Sequence, residues 1–298
     1  MATILITGGT GLVGKELTKL LEKNDHQIFI LSRHKSSNPN FYYWNIDKNY
    51  IDPKAIIKAD YIIHLAGSGI AEKRWTSKRK KTLIDSRVNS ANLLFEKVKE
   101  LNPNLKGFIT ASGIGFYGAI TSTTIFSEKD PSGDDFISTI CIEWEKSALK
   151  FNSINIRTVI LRTGIVLSKQ DGALEKICKP IKLGLGSFLG TGKQFMPWIH
   201  INDLCSMFEF SIKNENIYGT YNAVAPQHIS NQEITLEIAN HFKKKIWLPN
   251  VPSFILKIIL GELSVILLKG SRVSCDKILK DGFTFQFPRL KQALNNLL

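Results

Sequence analysis

At 298 residues the chain is long enough for one large α/β domain or two unequal ones, and a hydrophobic content of 43% suits a sizeable core. Lys and Arg number 39 against 26 Asp and Glu, a net charge of +13, yet no basic tail carries the excess, which argues against a dedicated nucleic-acid surface. The four cysteines, Cys141, Cys178, Cys205 and Cys275, lie far apart with no C-x-x-C pair; this excludes zinc-site spacing and a disulfide scaffold, and suits a reducing, cytoplasmic compartment.

In chain order, Thr3 to Ile6 is a short, β-branched apolar run, the pattern of a buried parallel strand. Because the chain enters a strand at once, no signal peptide is expected. Glycines follow at Gly8, Gly9, Gly11 and Gly14, and a helix-period stretch with Leu12, Leu17, Leu20 and Leu21 runs to about Lys23. In this strand–turn–helix context the glycines fit a dinucleotide fingerprint. Gly8 or Gly9 permits the tight turn, Gly11 lets backbone approach a pyrophosphate at the helix N-terminus, and Gly14 lets helix and strand pack closely.

Gln27 to Ser32 reads as a second strand. A ribose-binding acid is expected at its end for NAD; Arg33, His34 and Lys35 stand there instead, which favours the 2′-phosphate of NADP. Phe41 to Asn45 reads as a third strand and Ala59 to Leu65 as a fourth, with Leu65, Ala66 and Gly67 small enough at its end for close approach of a cofactor ribose. Thr76 or Ser77 caps a long helix to about Leu101, with Leu83, Val88, Ala91, Leu94, Phe95 and Val98 on its apolar side. The basic cluster Lys73 to Lys81 at its start is either a solvated face or an anion-attracting rim beside the cofactor crevice.

Lys106 to Ala111 is expected as the fifth strand, followed by Ser112, whose hydroxyl faces the crevice, and by Tyr117. Asp134 is expected to cap a helix containing Cys141, Trp144 and Glu145; Ile156 to Leu161 and Thr220 to Ala223 complete the strands. From about Gln227 the chain reads as mostly helical. Val251 to Leu268 is apolar, but Pro252, Lys257 and Glu262 interrupt it, so a buried or partner-facing helix is expected rather than a membrane span, and a homodimer contact if it is exposed. The fold expected is a Rossmann-like, doubly wound parallel sheet over residues 1–226, with residues 164–200 contributing to a substrate lobe, and a smaller, mostly helical C-terminal lobe over 227–298.

Thr7-Gly8-Gly9-Thr10-Gly11-Leu12-Val13-Gly14 resembles the nucleotide motif of the extended short-chain dehydrogenase/reductases. Ala71-Glu72-Lys73-Arg74-Trp75, Asp85-Ser86-Arg87-Val88, Leu161-Arg162-Thr163-Gly164, Trp198-Ile199-His200 and Phe287-Pro288-Arg289-Leu290 narrow the resemblance to epimerase family proteins with a DUF1731-type C-terminal segment. The resemblance implies an NADP-binding oxidoreductase or epimerase acting on a small hydroxyl or carbonyl compound, with Ser112 at the superfamily's catalytic serine. It also implies a Tyr-x-x-x-Lys pair, and here the chain departs: matched through Glu145, Ile137 stands at the tyrosine and Cys141 at the lysine. Tyr50 and Lys54 have the spacing but lie in the wrong part of the fold. Ser112, Tyr117 and Cys141 are therefore the candidate catalytic residues, and a redox-responsive regulator that binds NADPH with little turnover is the alternative. A nucleic-acid or membrane-surface protein that merely uses the fold is a third.

Overall fold

The computed structural model describes residues 1–298. The first half contains β1 (Thr3–Thr7), α1 (Leu12–Lys23), β2 (Gln27–Ser32), β3 (Phe41–Asn45), β4 (Tyr50–Ile51), α2 (Pro53–Ile57), β5 (Tyr61–His64), α3 (Ser77–Leu101), β6 (Gly107–Gly113), β7 (Ile125–Phe126) and α4 (Phe136–Leu149). There follow β8 (Thr158–Thr163), β9 (Ile165–Leu167), α5 (Ala173–Lys182), β10 (Trp198–His200), α6 (Ile201–Lys213) and β11 (Gly219–Ala223). The last part holds α7 (Asn231–His241), α8 (Ser253–Leu260), α9 (Val265–Leu268), β12 (Arg272–Val273), α10 (Asp276–Lys280) and α11 (Leu290–Leu297).

Eight strands form one sheet in the order β11-β8-β6-β5-β1-β2-β3-β4, parallel throughout except for the antiparallel edge pair β3–β4. Strand order reverses at β1: β2 lies on one side and β5 on the other. Such a switch point opens a crevice at the carboxyl ends of the strands. The unbroken apolar run of β1 is explained by burial on both faces. Ile4 and Ile6 enter one core with Leu17 and Leu21 of α1 and Phe208 of α6, while Leu5 enters the other with Leu94 and Val98 of α3.

Ile278, Phe283, Ala293 and Leu294 join the same core as Ile4 and Ile6, so the C-terminal segment packs directly on one face of the sheet assembly. It also reaches back through the two-residue pair β12–β7, which ties Arg272 and Val273 to Ile125 and Phe126 in the loop beyond β6.

Several local expectations are corrected. The N-cap of α4 is Asp135, not Asp134: the Asp135 carboxylate accepts from the Ser138 amide. β6 runs to Gly113, two residues beyond the expected Ala111, and pairs the strand-end Ser112 with Arg162 of β8. Thr76 caps α3, and it is Arg87 rather than Val88 that this helix buries. The Val251–Leu268 stretch is not one helix; Gly261, at φ +62°, ends α8 and a 3₁₀ turn leads into α9. On α8, Phe254, Ile258 and Ile259 are exposed. No helix is long and apolar enough to cross a membrane. Tyr50 and Lys54 sit on and beside the edge strand β4, three strands from β1.

Candidate functional site

The carboxyl end of β1 leads into a turn that only glycine permits. Gly8 adopts φ +71°, and a Cβ there would lie 2.9 Å from the Leu65 carbonyl carbon. A Cβ on Gly14 would lie 2.3 Å from the Gly8 oxygen and 2.6 Å from Gly9 Cα, so the first turn of α1 rests directly on the loop. Gly11 is the N-cap of α1; it is exposed, carries no side-chain cap, and is followed by no acidic residue in the first turn. The amides of Leu12, Val13 and Gly14 therefore open the positive end of the helix toward the crevice. Thr10 is exposed, Leu12 and Val13 are half-buried, and Arg33, His34 and Lys35 are exposed beyond the end of β2.

A buried clamp holds this loop against the end of β5. Thr7 Oγ1 and His64 Nδ1 are 2.7 Å apart, and the amides of Leu65 and Ala66 both donate to Thr7 Oγ1 at 3.2 Å. The hydroxyl has one proton, which goes to Nδ1, so His64 carries its own proton on Nε2, facing Ser90 Oγ at 3.2 Å. Burial lowers the pKa of His64 to about 4, so the ring is neutral near pH 7. Beneath Gly67 lies Arg87, 6% exposed, with Nη1 donating to the Leu83 carbonyl at 2.9 Å. A Cβ on Gly67 would be 2.9 Å from the guanidinium carbon, which itself sits 4.8 Å from the Trp144 ring centre.

Ser112 and Tyr117 are brought together through a buried polar chain. Ser112 Oγ donates to Glu145 Oε1 at 2.7 Å; Arg162 donates from Nε to the same oxygen at 2.9 Å and from Nη2 to Oε2 at 2.8 Å. Arg162 Nη1 donates to the Tyr117 hydroxyl at 3.0 Å, which in turn donates to Asn222 Oδ1 at 2.7 Å. Fork-to-fork pairing of this kind suits two charges that both lie out of water. Burial pushes the Tyr117 phenol up to about 12, so it stays protonated near pH 7.

Cys141 lies on α4 beside this chain, its sulfur 3.5 Å from where a Gly113 Cβ would stand. Burial pushes its thiol up to about 12 as well. One turn earlier, Ile137 packs on Gly115: a Cβ there would meet Ile137 Cγ1 at 2.8 Å. At the two positions matched to the proton-exchanging pair, the structure thus presents a hydrocarbon and a buried, neutral thiol.

Sequence reasoning missed the Glu145–Arg162 pair and the buried guanidinium of Arg87. A signal existed for the first: Arg162 interrupts the apolar run Thr158 to Leu161, and a charge inside a buried strand must find a partner. For Arg87 the signal was its place on the helix's apolar stripe, four residues after Leu83 and four before Ala91.

Residues 4–223 match the NAD dependent epimerase/dehydratase family, and residues 251–297 match a domain of unknown function, DUF1731. An epimerase family protein of Staphylococcus aureus strain MRSA252 is 37% identical over 302 residues, covering 100% of this chain and 99% of its own. The epimerase family protein YfhF of Bacillus subtilis is 33% identical over 299 residues, covering 99% of this chain and 97% of its own. Among solved structures, the human epimerase family protein SDR39U1, crystallised with NADPH, superposes with a TM-score of 0.89 at 29% identity, covering 99% of this chain and 98% of that one. With a match over most of its length and full-length relatives above 30% identity, the chain belongs to the NAD dependent epimerase/dehydratase family.

Proposed function

We propose that the protein binds NADP(H) in the crevice at the carboxyl ends of β1 and β5 and acts as an oxidoreductase or epimerase on a small hydroxyl or carbonyl compound. The observation that carries this reading is the glycine cradle. Gly8 and Gly14 occupy positions that a Cβ would fill with backbone clashes, and the exposed Gly11 begins a helix whose first amides are uncapped. Thr7 through Gly14 are the proposed pyrophosphate contacts. Leu65, Ala66 and Gly67 are the proposed ribose contacts, held to the glycine loop by the Thr7–His64 clamp. Arg33, exposed beyond β2 with no acid beside it, is the proposed contact of the 2′-phosphate and the basis for preferring NADP over NAD. The human relative solved with NADPH supports the same choice.

When bound, the nicotinamide donates or accepts a hydride at the substrate carbon. In this chain Ser112 is the proposed contact to the reacting oxygen; its one proton goes to Glu145, whose carboxylate Arg162 fixes from the other side, so Ser112 is set to accept from a substrate hydroxyl. Tyr117 and Cys141 are the other proposed catalytic groups; burial holds both protonated and pushes each up to about 12, so either gives up its proton only reluctantly near neutrality. Slow turnover is the consequence.

A second reading, a redox-responsive regulator that binds NADPH with little turnover, is favoured by one specific observation: Ile137 stands where a proton-exchanging tyrosine is expected, and it packs on Gly115. NADPH oxidation by aldehydes, ketones and quinones separates the two, measured in the wild type and in Ser112→Ala, Tyr117→Phe and Cys141→Ala. Turnover that falls about 10²–10⁴-fold in at least one variant supports the enzyme. Turnover equal in all four proteins overturns the residue assignments, and tight NADPH binding with no reduction supports the regulator.

A further inference from the structure

A cavity of about 520 Å³ opens between the first turn of α4 and the segment from α8 to α9, within the size range of small-ligand pockets. Its walls are apolar. Trp75 and Phe136 meet edge to face at 5.1 Å, Ile137 continues that wall, and Val265 and Leu268 face them from the C-terminal segment. The Trp75 indole nitrogen donates to the Ile70 carbonyl at 3.0 Å, so what the ring offers the cavity is hydrocarbon. Ile137 connects this space to the proposed reaction centre, because it also packs on Gly115, three residues beyond Ser112.

Two acids and two cations line the cavity, and Lys80, over the Phe136 ring, and Arg74 at its edge give the positive excess. Both acids are engaged. Asp135 accepts from the amide and hydroxyl of Ser138 at 2.9 Å and from the Ala119 amide at 2.7 Å, and Glu262 is paired with Lys80. Two cations also line it, Lys257 and Lys269, and neither side chain forms an ion pair or hydrogen bond. Arg74 adds a third positive group at Gly261, where its Nη2 lies 3.1 Å from the position of a Cβ. The basic Arg74–Trp75 segment and the apolar 251–268 stretch, far apart in sequence, thus form one pocket with hydrocarbon walls and a positive mouth.

We propose that this cavity takes the ring of a small aromatic or alicyclic substrate bearing one carboxylate, the ring against Trp75, Phe136, Ile137 and Val265 and the carboxylate at Lys257 and Lys269. The assignment rests on the reading of the chain as an NADP-dependent enzyme and names the substrate class of that site. A matched pair of probes tests it on the full chain without cofactor: 2-naphthoate, and the neutral 2-naphthalenemethanol with the same ring system, each titrated calorimetrically at low salt. Naphthoate binds about fivefold more tightly, as expected for exposed ammonium groups, and the preference shrinks at high salt. Lys257→Ala/Lys269→Ala removes the preference and leaves the affinity for the alcohol unchanged. Val265→Asp weakens both probes; the lysine variant, altered only at exposed positions, decides the matter if Val265→Asp does not fold. Ile258→Ser/Ile259→Ser, on the exposed face of α8, leaves both affinities unchanged. Equal affinity for the two probes in the wild type, a preference that survives the lysine substitutions, or binding lost in the α8 variant overturns the proposal. NADPH titrated into the same samples separates the two levels. NADPH binding without naphthoate binding refutes the cavity alone, whereas naphthoate binding without NADPH binding refutes the enzyme reading.

Discussion

Arg162 closes on both carboxylate oxygens of Glu145, at 2.9 and 2.8 Å, across the gap between β8 and α4. Both side chains are almost fully buried, 5% and 7% exposed. Burying either charge alone is costly, so the pair is stable only as a unit. Glu145→Gln or Arg162→Met is expected to cost about 3–5 kcal/mol in urea denaturation, while Glu145→Leu/Arg162→Met recovers a measurable part of that loss. Additive losses in the double variant would show that the two residues act separately.

His64 makes stability depend on pH with a defined sign. The folded chain keeps the ring neutral down to about pH 4, whereas an unfolded chain protonates it near 6.5. Stability is therefore complete above about pH 6.5 and is lost as the pH falls from there toward 4, by on the order of 3 kcal/mol from this residue. Burial lowers His200 to about 4 as well, so it acts in the same direction. Stability measured from pH 8 to pH 4 should fall less steeply in His64→Gln than in the wild type, and parallel curves would remove His64 from the account.

Gly14 and Gly11 are expected to separate folding from binding. An alanine at Gly14 drives Cβ into the Gly8 carbonyl at 2.3 Å and should destabilise the protein by about 1–3 kcal/mol or more while abolishing NADPH binding. At Gly11 the nearest atom to a Cβ is the Gly8 oxygen at 3.3 Å, a tight contact at a helix N-cap but far milder than that at Gly14, so Gly11→Val should fold and keep its circular dichroism at a modest loss of stability yet bind no NADPH. A Gly11→Val protein that binds normally would contradict the phosphate placement.

Arg33 should set the choice between the two nicotinamide cofactors. Because its side chain is exposed, a hydrogen-bonded ion pair to a 2′-phosphate is expected to be worth the low end of the charged range, about tenfold in affinity. Arg33→Ala should lose about that factor for NADPH and keep its affinity for NADH, in paired fluorescence titrations. An equal loss for both would place Arg33 elsewhere.

How much was legible in the sequence depended on the range of the interactions. The β1–Gly–α1 unit was readable because its pattern is local: three buried apolar residues, Ile4 to Ile6, then glycines whose conformations follow from the turn itself. Thr76 was readable as a cap for the same reason. β4, β7 and β12 were not, since two residues carry no periodicity and their pairing depends on segments as distant as Arg272 and Ile125. The Ser112–Glu145–Arg162–Tyr117 chain was invisible as a unit because its members come from β6, α4, β8 and the turn after β6, and only the sheet brings them together. Gly261 was a visible breaker inside Val251–Leu268, and treating that stretch as one helix gave its punctuation too little weight.

The proposed function requires that the glycine cradle bind NADPH in preference to NADH. Isothermal titration of the wild type and Gly11→Val with both cofactors tests it most directly. Saturable, one-site NADPH binding to the wild type, about tenfold tighter than NADH, and none to a folded Gly11→Val, is the expected result. No saturable binding of either cofactor to the wild type, or undiminished binding to Gly11→Val, would contradict it.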